Sequence, residues 1–327
     1  MPRKTVIIQR MCSLACFIVL WFFYGEILEI QLLWLQDAQA MPSHSKSRVV
    51  VSMTSFSERI MVTGMYTISS VISQMEYYDR FLISIPLGAV RGPEQGSAWC
   101  EYFQDCTETY AKFDTTETGI LLFLEKHLGQ FVARQHRTYE NTKHRITVQF
   151  LEQDYGPATK LLGALMIETD PSTIIITVDD DISYDKSLVK TLATHMPLDA
   201  ALCPACQSRS LVSSTGPRLM IHDGSWHRWL WPYNAKHCPG WLVGWAGVAY
   251  RVGYFEKDVF NVSMPSGCFY NDDVWLSGYL RRRGIGLIVM PGIKGGRQYR
   301  HPTLSLSVRP DYERNDMDPC IAFWEMK

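Results

Sequence analysis

Three consecutive aspartates, Asp179, Asp180 and Asp181, follow the strongest strand signal of the chain, the β-branched run at residues 173–178. Such a run is typical of a strand that is buried on both faces of a sheet. Adjacent carboxylates repel one another, and a divalent cation relieves that repulsion at a buried strand end. Mg²⁺ and Mn²⁺ bind one or two carboxylates together with water and phosphate oxygens. The triplet therefore predicts a metal site for a nucleoside diphosphate, with a solvated acidic turn as the alternative.

The elements around the triplet alternate between strands and helices. Strands are predicted at 48–53, 81–85, 145–151, 173–178 and 200–203. Helices are predicted between them, at 61–74, 116–132, 160–167 and 185–195. This alternation predicts an α/β fold with a mostly parallel sheet flanked by helices, whose ligands bind at the carboxyl ends of the strands. Because alternate residues of a strand share a side, Asp179 and Asp181 are predicted to face one ligand and Asp180 the other way.

Two stretches have no regular periodicity. Residues 88–110 are predicted to form a loop, and the tract 210–247, which is rich in tryptophan, histidine and glycine, is predicted to be irregular. Tryptophans of that tract could stack on sugar rings, although core packing explains them equally well. Irregular tracts of this length are usually functional or mobile.

The charge balance excludes one class of partner. The 327 residues include 32 lysines and arginines and 33 aspartates and glutamates. A nucleic-acid-binding protein normally carries a basic surface, so no nucleic acid partner is expected.

The beginning of the sequence predicts membrane anchoring. An uncharged apolar run at 11–25 follows a basic N-terminus and precedes acidic residues, which places the N-terminus in the cytosol. We expect a cytosolic tail at 1–10, a signal-anchor helix within 11–35, a short stem at 36–46 and one domain at 47–327. A cleaved signal peptide is the alternative, since Ala38-Gln39-Ala40 fits a cleavage site. We expect a single-pass type II membrane protein that is located in the Golgi. The alternative location is a bacterial cell envelope.

Cysteine usage fits a secretory compartment but leaves the pairing open. Of the nine cysteines, seven lie beyond the apolar run, so they cannot all pair within one chain. Cys203 and Cys206 form a CxxC without a second pair at zinc-finger spacing. A local disulfide or buried thiols are expected there.

Five separated segments together resemble the GT-A glycosyltransferase superfamily, in particular its family 2-like members. They are VVVSMTSFSERI (49–60), DYGPATKLLGAL (154–165), ITVDDDISY (176–184), GWAGVAYR (244–251) and CFYNDDVWLSGYLRRRGI (268–285). The third segment resembles the DxD metal motif of that superfamily. The resemblance implies a GT-A fold, Mn²⁺ or Mg²⁺ as cofactor, a nucleotide-sugar donor and a glycan or other hydroxyl acceptor.

The resemblance also implies roles on the donor side. Asp181 would coordinate the metal, Asp179 would bind the metal or the ribose, and Asp180 would support the donor sugar or ribose. Three residues would line the nucleotide pocket: Thr54, Ser55 and Arg59. Lys160 would offer a charge to the diphosphate or to an acid of the site, although an exposed helical lysine is the ordinary alternative.

On the acceptor side, the resemblance assigns the catalytic base of an inverting reaction to Asp273 or Asp272, with Asp273 preferred. The alternative is a helix start at which Asn271 or Asp272 is a cap. His301 would be a further metal ligand, although a surface histidine is the ordinary alternative. Trp245 and Gly247, in the matched glycine turn, would contact the acceptor.

The sequence thus favours a hexosyltransferase-like enzyme, with a UDP-sugar as the expected donor. Two other classes fit part of it. Asp179-x-Asp181 after a buried strand also resembles the Mg²⁺-dependent haloacid-dehalogenase phosphatases, in which the first aspartate is a nucleophile. A non-catalytic sugar-binding scaffold could have the same fold.

Overall fold

The computed structural model of the chain describes residues 47–56, 59–87, 116–134, 143–213, 216–221, 236–263, 265–290, 297–298 and 317–325. All of these except Ser47 belong to a compact unit that spans Arg48–Lys327. The expected N-terminal anchor, the loop at 88–110 and His301 lie outside the described residues. Within the described ranges, no helix is long and apolar enough to cross a membrane.

A mixed sheet forms the centre of the described part of the chain. In chain order the strands are β1 (Val49–Thr54), β2 (Arg80–Pro86), β3 (Ile146–Leu151), β4 (Ile174–Val178), β5 (Ile182–Ser183), β6 (Ala200–Cys203), β7 (Ala205–Ser213), β8 (Gly216–Ile221), β9 (Lys236–His237), β10 (Trp241–Leu242), β11 (Val248–Arg251), β12 (Gly286–Val289) and β13 (Arg297–Gln298). The large sheet has eight strands in the order β3-β2-β1-β4-β11-β6-β12-β9. Within this sheet, β11 and β9 are antiparallel to the other six strands. The predicted mostly parallel sheet is confirmed.

Helices connect and cover these strands. They are α1 (Met65–Ile72), α2 (Glu117–Arg134), α3 (Thr159–Leu165), α4 (Leu188–Thr194), α5 (Asp272–Arg282) and α6 (Met317–Glu325). Helix α3 packs on β1, β2 and β4, whereas α5 packs on β10, β12 and α6. A five-residue π-helical turn, Ile60–Gly64, leads into α1. The helix predicted at 61–74 is therefore shorter than expected, and its first turns have π geometry.

The two central strands explain why the sheet forms here. Every residue of β1 and of β4 is buried, as their β-branched composition predicts for strands covered on both faces. The polar side chains among them are satisfied internally. The Ser52 hydroxyl donates to the carbonyl of Lys160 at 2.5 Å, and the Thr177 hydroxyl donates to the carbonyl of Val248 at 3.3 Å. The apolar layers therefore form without leaving these polar groups unpaired.

The prediction of an irregular tract at 210–247 is wrong for part of it. Strands β7 and β8 form an antiparallel hairpin, and β10 adds to β7 as a third strand. The polar composition of β7, ACQSRSLVS, hides the strand from a hydrophobicity pattern. Trp241 of β10 is buried against the core, so this tryptophan packs as a core residue.

Four of the five cysteines in the described ranges form disulfides between residues that are distant in sequence. Cys206 is bonded to Cys238, and Cys268 is bonded to Cys320. A disulfide within the CxxC is therefore excluded. Cys203 is a free buried thiol, and burial raises its pKa to about 12. Because β6 belongs to the large sheet and β7 to the three-stranded sheet, the spacing of the two cysteines could not predict these partners.

Candidate functional site

The acidic triplet lies at the carboxyl edge of the sheet, next to the end of β1. Strands β1 and β4 are parallel neighbours, with Met53 opposite Val178. Ser55 and the aspartates after β4 therefore leave the sheet side by side. Helix α3 brings Lys160 to the same edge, and the start of α5 brings Asp272. The edge at which ligands of parallel sheets bind thus collects polar and charged side chains from four elements.

Arg59 binds the second and third acids of the triplet. Its Nη2 lies 2.9 Å from Oδ1 of Asp180 and 2.9 Å from Oδ2 of Asp181. The other oxygen of Asp180, Oδ2, accepts a hydrogen bond from the Ser55 hydroxyl at 2.5 Å. The predicted alternation, with Asp180 facing away from Asp181, is wrong because β4 ends at Val178 and the chain turns at residues 180–181.

The charge of Arg59 is secured by these acids. Its side chain is 8 % exposed. Burial acts to lower its pKa, but the charges of Asp180, Asp181 and Asp179 outweigh that effect and raise the pKa above its ordinary value. Arg59 is therefore a charged internal counter-ion of the triplet.

Lys160 links the first acid of the triplet to the start of α5. Its Nζ lies 2.7 Å from Oδ1 of Asp179 and 2.9 Å from Oδ2 of Asp272. Its side chain is only 4 % exposed, so the alternative of an exposed helical lysine is wrong. Burial acts to lower its pKa, but Asp179, Asp272 and Asp273 together raise it well above the ordinary value. The ammonium is therefore charged wherever the fold is intact.

Asp273 faces the glycine turn that follows β10. Its Oδ1 accepts the backbone N–H of Gly244 at 2.8 Å. Burial first, then the charges of Asp272 and Asp179, raise the pKa of Asp273 well above its ordinary value, and Lys160 opposes the rise. A carboxylate with a raised pKa is a stronger base than an ordinary aspartate.

A capping role for Asn271 or Asp272 does not explain the contacts that their side chains make at the start of α5. Asn271 is the N-cap residue of α5, but its side chain makes no capping hydrogen bond and donates instead to the carbonyl of Gly267 at 2.6 Å. Asp272 and Asp273 do lie in the first turn, where negative charge is favourable. Their side chains, however, bind Lys160 and Gly244.

Tyr184 joins the acidic triplet to the glycine turn. Its hydroxyl accepts the backbone N–H of Asp179 at 2.8 Å and donates to the carbonyl of Trp245 at 3.0 Å. The residue after Gly244 is thereby tied to the residue after β4. Together with the contacts of Lys160 and Asp273, this hydroxyl makes a connected polar network between the acidic triplet and the acids of α5.

We expect Tyr184→Phe to destabilise the chain by about 1–3 kcal/mol, because it leaves the N–H of Asp179 and the carbonyl of Trp245 without their partner. Urea unfolding of the full chain measures the effect. Tyr254→Phe is a matched comparison, since the equally buried Tyr254 hydroxyl binds the carbonyls of Pro197 and Ala200. An unchanged unfolding midpoint for Tyr184→Phe would contradict the network.

The acids of the site fit a divalent cation by charge and by donor chemistry. The network contains five carboxylates and two cations, an excess of three negative charges when all are ionised. Oδ2 of Asp272 is buried and has no hydrogen bond besides its ion pair with Lys160. In the described ranges no three acidic, histidine or cysteine side chains form a ready metal site. Mg²⁺ and Mn²⁺ commonly take one or two protein carboxylates and complete their shell with water and phosphates. Asp179 and Asp181 are the side chains that would hold such an ion.

The remaining candidate residues are placed as follows. Thr54 is buried at the end of β1, and its hydroxyl donates to the carbonyl of Ser84 at 3.0 Å. Trp245 is half-buried beside the network. Gly247 has a φ of +86°, and a Cβ there would lie 3.0 Å from Leu188, so the turn itself requires glycine. His301 lies outside the described residues.

Sequence analysis missed two residues of this site. Tyr184 stands inside the matched ITVDDDISY segment, but nothing in its spacing predicts that its hydroxyl reaches residue 245. Gly244 was noted only as part of a turn. A Cβ at Gly244 would lie 2.5 Å from Oδ1 of Asp273 and 3.0 Å from Nζ of Lys160. The absence of a side chain there is what lets the turn approach both charges.

No family model matches the chain, and no curated protein sequence matches it. Among solved structures, it is similar to 4-diphosphocytidyl-2C-methyl-D-erythritol synthase from Anaerococcus prevotii, with 8 % identity and a TM-score of 0.41, over 86 % of this chain and 100 % of that chain. It is also similar to residues 1–349 of S. aureus TarS in complex with UDP-GlcNAc, with 14 % identity and a TM-score of 0.44, over 85 % of this chain and 71 % of that chain.

A third similar structure is the mannosyltransferase from Pyrobaculum calidifontis in complex with GDP-Man and Mn²⁺. The identity is 14 % and the TM-score 0.37, over 80 % of this chain and 62 % of that chain. Each of the three TM-scores is below 0.5, so the function has to be inferred from the residues of the chain itself.

Proposed function

We propose that the chain is a metal-dependent glycosyltransferase that transfers a sugar from a nucleotide-sugar donor, with UDP-sugars the first candidates, to a glycan or other hydroxyl acceptor with inversion. The observation that carries the proposal is the joining of two acid groups by one buried cation. Lys160 binds Asp179 at 2.7 Å and Asp272 at 2.9 Å. One acid group suits a metal-bound diphosphate, and the other suits removal of a proton from an acceptor.

On the donor side, the chain offers oxygen ligands and cations together. Asp179 has 29 % of its side chain exposed, the most of the four aspartates that are ion-paired with Arg59 or Lys160, and Asp181 lies two residues further on. A bound Mn²⁺ or Mg²⁺ would supply electrostatic stabilisation of the charge that develops on the departing nucleoside diphosphate. Arg59 and Lys160 hold the acids in place, and their positive charges face the same edge.

On the acceptor side, Asp273 is the proposed general base. Asp272 is the counter-ion of Lys160, whereas Asp273 is only partly buried and is oriented by the N–H of Gly244. Its raised pKa makes it a better proton acceptor than an ordinary aspartate. The proton of the acceptor hydroxyl would pass to Asp273 as the oxygen attacks the donor sugar.

A stabilisation screen tests the proposal. The full chain is heated with UDP, GDP or CMP, each with and without Mn²⁺. A ligand at 100 times its Kd stabilises the folded chain by about 2.7 kcal/mol. We expect one nucleotide to stabilise it only when Mn²⁺ is present, and Asp181→Asn to abolish that effect. Stabilisation by UDP and GDP without metal contradicts the proposal.

Two further assays separate the alternative classes. Release of phosphate from a generic ester, with an adduct trapped at Asp179, would identify a phosphatase. Glycan binding that is unchanged in Asp273→Asn, without nucleotide binding, would identify a sugar-binding scaffold.

Gly244→Ala is expected to reduce transfer about 10-fold or more, since the added Cβ forces Asp273 away from its position. Overpacking of this kind also costs about 1–3 kcal/mol of stability. Gly284→Ala is the control, because among the described residues no heavy atom beyond its chain neighbours lies within 4 Å of a Cβ at Gly284, although its φ of +74° disfavours alanine. The rate of nucleoside diphosphate release measures both variants. A Gly244→Ala variant as active as wild type would show that Asp273 need not stay in this position.

We also propose that the domain faces a secretory or periplasmic compartment and is anchored by residues 11–35, in the Golgi or in a bacterial envelope. The pairs Cys206–Cys238 and Cys268–Cys320 support an oxidising compartment. Protease protection of the domain in sealed membrane vesicles tests the orientation.

A further inference from the structure

Arg59 binds two adjacent acids of the triplet, and one of them, Asp181, is a proposed metal ligand. Its Nη2 lies 2.9 Å from Asp180 and 2.9 Å from Asp181, and all three side chains are at most 8 % exposed. The Ser55 hydroxyl donates a hydrogen bond to the second carboxylate oxygen of Asp180 at 2.5 Å. A positive charge of the chain therefore already neutralises this part of the triplet.

We propose that Arg59 is a ligand-selecting residue, which competes with a lone divalent cation for Asp181 and releases that carboxylate when a diphosphate arrives. Metal and nucleotide would then bind together, and metal alone would bind weakly. This inference rests on the proposed function, because it concerns the same donor site.

The energetic argument concerns the buried guanidinium. A lone cation that takes Asp181 leaves part of the charge of Arg59 uncompensated, and a buried charge that loses a partner is strongly unfavourable. A diphosphate changes this balance, because its oxygens accept strong charge-assisted hydrogen bonds from a guanidinium. Arg59 can then exchange a carboxylate for a phosphate without losing a charged partner.

The exchange predicts a reciprocal coupling. If the nucleotide raises the affinity for Mn²⁺ by some factor, Mn²⁺ raises the affinity for the nucleotide by the same factor. Metal–phosphate bonds supply part of that coupling in any protein of this kind. The remaining part of the coupling depends on Arg59, because Arg59 weakens the binding of Mn²⁺ when no nucleotide is present. This affinity for Mn²⁺ can be measured with the metal alone.

The chain offers a matched control at the other end of β1. Arg48 precedes this strand, and its Nε lies 2.9 Å from Oε2 of Glu168, which also binds Arg80. Arg48→Met therefore removes one arginine from an acid of the same unit without touching the triplet. It controls for the change in net charge.

The experiment measures free Mn²⁺ by electron paramagnetic resonance while the full chain is titrated, without nucleotide and with UDP or whichever nucleotide the stabilisation screen selects. Arg59→Met is expected to bind Mn²⁺ alone at least about 10-fold more tightly than wild type. The ratio of affinities with and without nucleotide should fall by a similar factor. Arg48→Met should match wild type. An Arg59→Met variant that binds Mn²⁺ alone no more tightly than wild type overturns the inference.

Circular dichroism shows whether Arg59→Met is folded. If it is not, Arg59→Lys provides a second test of the inference. An ammonium keeps the charge but lacks the planar fork, so it holds the two carboxylates less firmly. Mn²⁺ alone should therefore bind Arg59→Lys more tightly than wild type, and equal affinity overturns the inference. A wild-type chain that binds neither Mn²⁺ nor any tested nucleotide refutes the proposed function itself. Binding of both, with the same coupling in the Arg59 variants, refutes only the role of Arg59.

Discussion

Lys160→Met is expected to destabilise the chain by about 3–5 kcal/mol, the largest stability effect of any substitution considered for this site. Lys160 is buried and holds Asp179 and Asp272 at 2.7 and 2.9 Å. Methionine fills similar space but leaves Asp272, which is itself buried, without its counter-ion. The cost therefore comes from an unpaired buried charge and not from a cavity. Urea unfolding of the full chain measures it.

Two other variants sharpen this prediction. Lys190 lies on the surface of α4 over the ring of Tyr77, and we expect Lys190→Met to cost about 1 kcal/mol or less. The double variant Lys160→Met with Asp272→Asn removes both charges of the pair and should recover part of the lost stability. If Lys160→Met unfolds at the same urea concentration as wild type, the lysine does not stabilise the acids as the structure suggests.

Asp273→Asn is expected to reduce sugar transfer by about 10²- to 10⁴-fold, the range in which a general base contributes. An asparagine oxygen can still accept the N–H of Gly244, so the turn keeps its position. Stabilisation by nucleotide and Mn²⁺ should remain, because the donor-side acids are intact. Release of the nucleoside diphosphate from its sugar donor, in the presence of glycan acceptors, measures the rate. A variant with wild-type rate would exclude Asp273 as the base.

The pH profile of the wild-type chain provides an independent check on the same residue. The pKa of Asp273 is raised well above the ordinary 3.8 by burial and by its neighbouring acids. Below that raised pKa the carboxyl group is protonated and cannot accept a proton. Transfer should therefore decline on the acid side at a higher pH than an ordinary aspartate would give. A rate that is flat down to about pH 4 contradicts the assignment.

Asp272→Asn distinguishes the two adjacent acids of α5. Asp272 is the partner of Lys160, whereas Asp273 is bound by Gly244. We therefore expect Asp272→Asn to act mainly on stability and Asp273→Asn mainly on rate. Both variants are compared by urea unfolding and by nucleoside diphosphate release. The reverse pattern would assign the base to Asp272.

Hydrophobic pattern alone predicted the centre of the fold. The β-branched runs of β1 and β4 predicted strands buried on both faces, and both strands are fully buried. The position of the acids directly after β4 then placed them at the carboxyl edge of a parallel sheet. These conclusions depend on local composition and on chain order, which a sequence states directly.

Side-chain partners could not be predicted in this way. The sequence suggested that Asp180 faces away from Asp181, but the turn after Val178 brings both to Arg59. It left Lys160 open between a charge offered to the site and an exposed helical lysine, and the packing of α3 on β1 buries that side chain between two acids that lie far apart in sequence. Such contacts depend on how elements pack, and a propensity or a spacing does not contain that information.

The sequence by itself determined the α/β class, the strand that carries the acidic triplet and the second acidic pair at the start of α5. Only the tertiary structure decided that Lys160 joins these two groups, that Tyr184 ties the triplet to the glycine turn, and that Cys206 pairs with Cys238. The physical reason is the range of the interactions. Hydrophobic periodicity acts over a few residues, whereas ion pairs, hydrogen bonds and disulfides join residues that only the folded chain brings together.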